Sequence, residues 1–542
     1  MAVRIEDIKR EGIAVDIDAL ARTGFESISE ADRYRLKTQG VCAQKHVGVF
    51  MIRIRVPGGK MWPSQLRRVA ELAATHGHGS VHVTTRAGLE LHHVRIEHVP
   101  AVFAGLGEAG LTTKGACGDT LRNVVACAHA GTFAGEVLPP APFVEMLHAR
   151  IVQISDATNL SRKMNVAIGC SPLCDEQVAT SDIGFLATPA AGGGPAGFAV
   201  WGAGGLGATP RLAIPLFPFL PQRDLLAAFT AIVAMGEKHG DRSNRARAKI
   251  KMLVERWGEA RVREVFLGEL ETARSRGLPA LEVQAAAEEV YARPRLVPLR
   301  SVPGGAQEQK QAGLFTLPAL IPMGELSQAA AAALCDAAER FGDGLIHLTP
   351  DQNAELQGVP EAKLEAAAAA LERAELRTRG RGGIADVVAC VGTEYCPIAV
   401  SSSMATGREL SQSLGARRED YRYADFRIHV SGCPHSCARH QVADVGLAGG
   451  TMKVDGAVVE AFVLYVGGNA HERRLGEPWE RKFPRSHAPD VVEALLRTYE
   501  SLALPGERFS RTVARVGSGP FFAAAAAALD GQGPPQESAH AA

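Results

Sequence analysis

"VGVFMIRIRVPGGKMWPSQLRRVAELAATHGHGSVHVTTRAGLELHHV" (47–94) has a counterpart far along the chain, "AGLFTLPALIPMGELSQAAAAALCDAAERFGDGLIHLTPDQNAELQGV" (312–359). Gly48/Gly313, Phe50/Phe315, Pro57/Pro322, Gly59/Gly324, Gly77/Gly342, Gly79/Gly344, His82/His347, Thr84/Thr349, Leu91/Leu356 and Val94/Val359 all differ by 265. Each copy reads as strand, Gly/Pro turn, amphipathic helix, Gly stop and alternating strand. That is half of a ferredoxin-like α+β unit, and two halves can pair into one pseudo-symmetric domain.

The repeat continues at an offset of 263. "VVAC" at 124–127 answers "VVAC" at 387–390, and Gly169, Cys170 and Cys174 answer Gly432, Cys433 and Cys437. "DIGF" (182–185) then answers "DVGL" (444–447) after a one-residue slip. The second copy reads C-x5-C … C-x3-C through Cys390, Cys396, Cys433 and Cys437. The first copy has Cys127, Cys170 and Cys174, with Phe133 opposite Cys396. Cys433 and Cys437 lie four apart, in a loop expected to turn into a helix whose one face would carry both sulfurs. Two tight cysteine pairs fit four-thiolate ligation of an iron–sulfur cube. Zinc and buried structural cysteines stay open on spacing alone. The three first-copy cysteines are either small core residues or ligands of a second cluster with a remote fourth ligand.

The chain has 542 residues, which predicts several domains, and its 46% hydrophobic and 22% charged residues suit a soluble globular protein. Lys+Arg and Asp+Glu both number 59, so the net charge points to neither nucleic acid nor a membrane surface. No apolar run reaches the roughly 18–20 residues that span a bilayer. The start, "MAVRIEDIKREGIAVDIDAL", lacks the apolar core of a signal peptide, so a cytoplasmic protein is expected. Ten cysteines in a chain of this length make no disulfide framework there.

"HVTTRAGLELHH", "GACGDTLRNVVAC", "NLSRKMN", "CVGTEYC" and "GCPHSCARHQVADVGL" together resemble the assimilatory nitrite/sulfite reductases, from about residue 35 to about 515. The resemblance implies two cofactors, siroheme and a [4Fe–4S] cluster. It assigns the cluster to Cys390, Cys396, Cys433 and Cys437, with Cys437 also the axial ligand of the siroheme iron. It places the oxyanion among Arg86, Arg122 and Lys163, cations that bind anions through charge-assisted hydrogen bonds. Opposite these three the second copy has Asp351, Ala385 and Phe426, so the cationic set and the full cysteine set occur once each, in opposite copies. Sulfite reducers of this family typically carry a second lysine two residues after the first, where plant-type nitrite reductases have asparagine. This chain has Asn165, and one fewer cation favours the monoanion nitrite.

The implied architecture is an internally duplicated α+β fold. An N-terminal extension spans 1–40, with ferredoxin-like half-domains at 41–110 and 301–375. Siroheme-binding α+β domains span 111–300 on the substrate side and 376–520 on the cluster side, and a disordered tail spans 521–542. The implied activity is nitrite reduction to ammonia by a monomeric or weakly associating enzyme, with electrons from a separate ferredoxin-type protein. Sulfite reduction to sulfide is the near alternative. A corrin-pathway monooxygenase resembling precorrin-3B synthase, or a non-catalytic iron–sulfur carrier, is more remote, because both leave the cationic set unexplained.

"WGAGGLGATP" contains G-x-G-x-x-G at Gly202, Gly204 and Gly207, but Pro210 and the apolar segment after it argue against the helix that a dinucleotide site needs. Gly204 and Gly205 read instead as a tight loop that lets backbone approach the macrocycle. "GDRSNRARAKIKMLVERWG" (240–258) reads as a basic helix, either a solvated face or a contact for siroheme carboxylates or an acidic ferredoxin. One of His92 and His93 is expected to face the core, and Cys42 and Cys335 read as ordinary thiols.

Overall fold

The computed structural model describes residues 4–156, 159–283 and 305–531. It resolves into two compact units. One comprises Met1–Gly205 with Arg211–Arg379, the other Leu206–Pro210 with Gly380–Ala542.

In the first unit each repeated segment builds the expected elements. The strand Val49–Ile54 alternates, burying Phe50, Ile52 and Ile54, as a sheet covered on one face requires. The Pro57–Gly59 turn leads to the helix Pro63–His76, which Pro63 opens and Gly77 stops. The hairpin Ser80–Val83/Leu89–Arg95 follows. The second copy repeats this as Leu314–Ala319, the helix Gln328–Phe341, Ile346–Leu348 and Ala354–Pro360. Ser327 caps that helix, accepting from the Ala330 N–H at 3.1 Å.

The halves exchange strands. Glu325–Ser327 from the second copy pairs with Ser80–Val83, completing a five-stranded sheet of the first. Lys60–Met61 from the first pairs with Ile346–Leu348 in the second. The two helices also touch: Arg67 pairs with Asp336 and Glu339 at 2.6 Å each. One apolar core runs through both halves, from Phe50 and Leu66 to Leu334 and Leu356. The internally duplicated α+β fold is therefore as the sequence predicts.

A third sheet in this unit has the order Ile214–Pro221, Gly197–Gly202, Ile183–Thr188, Met164–Gly169, Leu121–Ala126. Its last three strands are mutually parallel and the others antiparallel. The second unit holds a sheet of the same pattern: Val388–Ala389, Ile428–Ser431 and Val445–Val454 are parallel, and Ala457–Val466 and Glu477–Pro484 antiparallel. The glycine-rich stretch leads from the strand ending at Gly202 through a turn to Ile214–Pro221, with no helix between.

Three local expectations need correction. Cys433–Cys437 lies in turns, not on a helix; Ser436 and Arg439 are left-handed (φ 56° and 60°), which a helix cannot accommodate. The basic segment becomes helical only from Lys251, because the Asp241 carboxylate accepts from the N–H groups of Ser243 and Asn244 (2.9 and 3.1 Å) and holds a turn. The helix Gly519–Leu529 occupies the first part of the expected tail, with Phe521 fully buried against Phe509. The remainder, 532–542, lies outside the described residues. Residues 4–40 carry the α-helices Ile5–Glu11, Ile17–Thr23 and Glu30–Thr38, and Lys9 on the first reaches Asp119 at 3.1 Å.

Candidate active site

Arg86 sits in the hairpin turn after Val83. Thr84 builds that turn, its hydroxyl accepting from the N–H groups of Arg86 (3.3 Å) and Gly88 (3.2 Å). Asn123 Nδ2 donates to Arg86 O (3.1 Å) and Val56 O (2.7 Å), clipping the turn to the strand that carries Arg122. On the neighbouring parallel strand Met164 lies opposite Leu121, the residue before Arg122, and Lys163 and Asn165 flank Met164. The structure thus gathers the segments bearing all four expected oxyanion residues at the N-terminal ends of two adjacent strands.

The site is rich in buried donors. Arg122 is 7% exposed and donates to Ala116 O and to Gly118 O (2.9 Å), while its Nε is left without a hydrogen-bond partner. Burial, and then the Arg53 charge against that of Cys117, pushes its pKa down. Arg55 was not singled out from the sequence, although a charged residue inside the apolar "MIRIRV" is the available signal. It is 1% exposed, donates to Lys114 O (2.6 Å), Gly115 O (2.7 Å) and Leu121 O (2.5 Å), and keeps a buried Nη1 without a partner. Burial first, then the Arg122 charge, pushes its pKa down to about 9. Buried guanidinium N–H groups without acceptors fit an anionic group.

Asn165 donates its backbone N–H to Asp182 (2.8 Å) and leaves its side-chain Oδ1 buried and without a hydrogen-bond partner. Lys249 pairs with the same carboxylate at 2.8 Å. Lys251 donates to Gly205 O at 3.1 Å, and burial, then Lys249, pushes its pKa down to about 8. The basic segment is therefore largely engaged within its own unit: Arg245 also pairs with Asp119 (2.8 Å) and Arg242 with Glu6 (2.7 Å). Gly204 packs against its own chain, since a Cβ there would lie 2.6 Å from Ser181 O. Gly205 exchanges backbone hydrogen bonds with Arg211 at 2.8 and 3.0 Å. His92 is buried and His93 half-buried.

In the second unit the four cysteines occupy two loops at the C-terminal ends of the parallel strands Val388–Ala389 and Ile428–Ser431. Cys390 Sγ accepts the Gly432 N–H at 3.2 Å and lies 3.3 Å from Ser403 Oγ. Burial first, then the adjacent Cys437 charge, pushes the Cys390 thiol up to about 12. Cys396 ends a one-turn helix, Cys433 is buried, and Cys437 is exposed. The loops meet through glycine: a Cβ on Gly432 would lie 2.7 Å from Ser401 O and 2.9 Å from Gly392 Cα. Four thiols on two loops pressed together suit a four-thiolate cluster. Gly207 and the Gln441 amide, both in this unit, exchange two hydrogen bonds (3.3 and 2.8 Å).

The family described as "Nitrite and sulphite reductase 4Fe-4S domain" matches residues 117–274 and 381–531, and its "ferredoxin-like half domain" matches 43–109 and 307–374. The chain belongs to the nitrite and sulfite reductase family. It is an oxidoreductase, and the cofactors of this family are siroheme and a [4Fe–4S] cluster. The reductase is 30% identical to "Ferredoxin--nitrite reductase" of Synechococcus elongatus, over 90% of this chain and 94% of that protein. It is 28% identical to "Sulfite reductase [ferredoxin]" of Mycobacterium tuberculosis, over 94% of each. The solved structure of the Mycobacterium tuberculosis NirA protein is 26% identical, with a TM-score of 0.83, covering 95% of this chain and 97% of that one. Among the described residues, no single helix of the reductase is long and apolar enough to cross a membrane.

The reductase also holds cysteines outside the cluster loops. Cys127 Sγ lies 3.0 Å from Cys174 Sγ, which lies 3.5 Å from Cys170 Sγ. Cys335 is buried, with its thiol 3.4 Å from Pro63 O. Cys42 is not an isolated thiol, because it hydrogen-bonds to the buried Cys117, a residue passed over in the sequence reading, and that bond pushes the Cys42 pKa up.

Proposed function

We propose that this reductase converts nitrite to ammonia in the cytoplasm, taking electrons from a ferredoxin-type protein. The observation that carries the substrate choice is Asn165, a neutral amide with a buried, unpartnered Oδ1 beside a cationic set. Support for the donor and the substrate class comes from the relatives, which are named as ferredoxin-dependent reductases of nitrite or sulfite.

Cys390, Cys396, Cys433 and Cys437 would hold the cluster, and Cys437 would also hold the siroheme iron. When bound, the two cofactors supply a redox-active iron for the oxyanion and a store of electrons beside it. Arg86 and Arg122 supply fixed positive charge and multiple N–H donors, which favour an anion and offset charge that grows during reduction. An ammonium releases a proton more readily than a guanidinium, so Lys163 is the member of the set suited to protonate substrate oxygen. Gly204 and Gly205 keep the loop free of side chains where the macrocycle would approach.

The second reading, sulfite reduction to sulfide, is favoured by the likeness to the mycobacterial sulfite reductase. Anaerobically purified holoenzyme, reduced viologen and each oxyanion in turn separate the two. Faster ammonia formation at matched low concentrations supports nitrite, and faster sulfide formation reverses the choice. If siroheme-loaded protein forms neither product, reductase chemistry is lost and the corrin-pathway reading takes its place.

A further inference from the structure

We propose that Cys127, Cys170 and Cys174 form a second metal centre in the first copy, a mononuclear thiolate site for zinc(II). Their sulfurs all lie within 4.8 Å of one another, and no other group of three or more possible ligands among the described residues is that compact. A single zinc with Zn–S bonds of about 2.3 Å in tetrahedral array spaces its sulfurs by about 3.8 Å, the scale of the 3.0 and 3.5 Å separations here. A four-iron cube spreads its thiolates farther apart and takes four of them. The residue opposite Cys396 in this copy is Phe133, which has no ligand atom to offer.

The backbone presents the three sulfurs ready to bind. Cys127 follows the strand Leu121–Ala126, and Cys170 follows its parallel neighbour Met164–Gly169. The Cys170 carbonyl accepts from the Val137 and Leu138 N–H groups at 2.7 and 3.3 Å. The Cys174 N–H donates to Ser171 O at 2.9 Å, turning the chain back. Gly169 permits that turn, because a Cβ there would lie 2.5 Å from Cys174 O. Cys170 is buried while Cys127 and Cys174 are half-buried, so an ion can enter and water can complete its coordination.

The site is separate from the oxyanion residues. Cys127 and Cys170 lie five residues beyond Arg122 and Asn165 on the same two strands, on the order of 16 Å at about 3.3 Å per residue. Zinc, which has no redox chemistry, would act there as a tie between strand ends. Soft thiolates also select it over magnesium or calcium.

Holoenzyme purified anaerobically, incubated with zinc(II) and desalted, tests this by elemental analysis and zinc-edge X-ray absorption. The expected result is about one zinc per chain beyond the cofactor iron, with a sulfur shell at about 2.3 Å. Cys127→Ser and Cys174→Ser should each lower zinc by roughly tenfold or more with iron unchanged. Zinc far below one per chain, a shell without sulfur, or zinc retained in both variants overturns the proposal. So does iron sufficient for a second cluster, or a Cys127–Cys174 disulfide in the anaerobic protein. Should a variant fail to fold, the absorption spectrum of the unaltered protein decides alone.

Discussion

At neutral pH sulfite is largely a dianion and nitrite a monoanion, so a side chain that adds or withholds one charge beside the substrate acts directly on their ranking. Asn165→Lys supplies that charge and should shift the ratio of sulfide to ammonia turnover towards sulfide by roughly tenfold, about 1.4 kcal/mol of differential stabilisation. An unchanged ratio removes Asn165 as the discriminator. Cys437→Ser replaces the thiolate proposed to join the two cofactors; the expected outcome is loss of magnetic coupling between siroheme and cluster, and coupled spectra in that variant overturn the axial assignment. Asp119 is a structural counterpart. Burial alone would raise its pKa, but the Arg245 hydrogen bond and the charges of Lys9, Arg245 and Arg162 prevail and hold it at about 2. A depressed carboxyl contributes stability that is present above its unfolded pKa near 3.8 and is lost as pH falls through about 2. Asp119→Asn should therefore cost about 3 kcal/mol at neutral pH, leaving its cations uncompensated. It should also flatten the acid limb of unfolding between those two values, and an acid limb as steep as in the unaltered protein would contradict this.

Elements differ in how openly the sequence announces them. The strands and helices of both half-domains were legible because Phe50, Ile52 and Ile54 alternate and Gly77 and Gly342 punctuate. The identities of the cysteines were legible through the repeat, but their local geometry was not. Four-residue spacing suggested a helix at Cys433–Cys437, and only left-handed Ser436 and Arg439, two non-glycine residues, show the chain turning instead. Short exchanged strands such as Lys60–Met61 carry too few residues for any periodicity. The compact first-copy triad was equally hidden, since sulfur separations depend on how closely Gly169 lets the loop return. The second-copy loop depends on glycine in the same way. Gly392 is left-handed (φ 53°), and a Cβ there would lie 2.5 Å from Ser403 Oγ and 2.7 Å from Ser403 N. Gly392→Ala should strain the Cys390–Cys396 loop by about 1–3 kcal/mol. Iron analysis should find cluster content reduced by half or more while the chain stays folded, and full cluster content would show that the loop yields without cost.

The duplicated chain carries Arg86, Arg122 and Lys163 in one copy and the complete cysteine set in the other, yet the half-domains do not stand as independent bodies. Each of the two half-domain sheets takes an edge strand from the opposite half. Glu325 on one exchanged strand accepts from Ser80 Oγ at 2.9 Å and lies 3.0 Å from His82 Nδ1, and Leu326 is fully buried. A single core spans both sets of residues. Removing either half would bare a sheet edge and the apolar faces of the helices Pro63–His76 and Gln328–Phe341 together. A chain split between residues 283 and 305 and produced as two fragments should therefore yield a stable complex that copurifies and unfolds in one transition. Either fragment alone should aggregate. Recovery of a monomeric, folded fragment with a cooperative transition of its own would show that the exchanged strands decorate two self-sufficient domains instead of welding one.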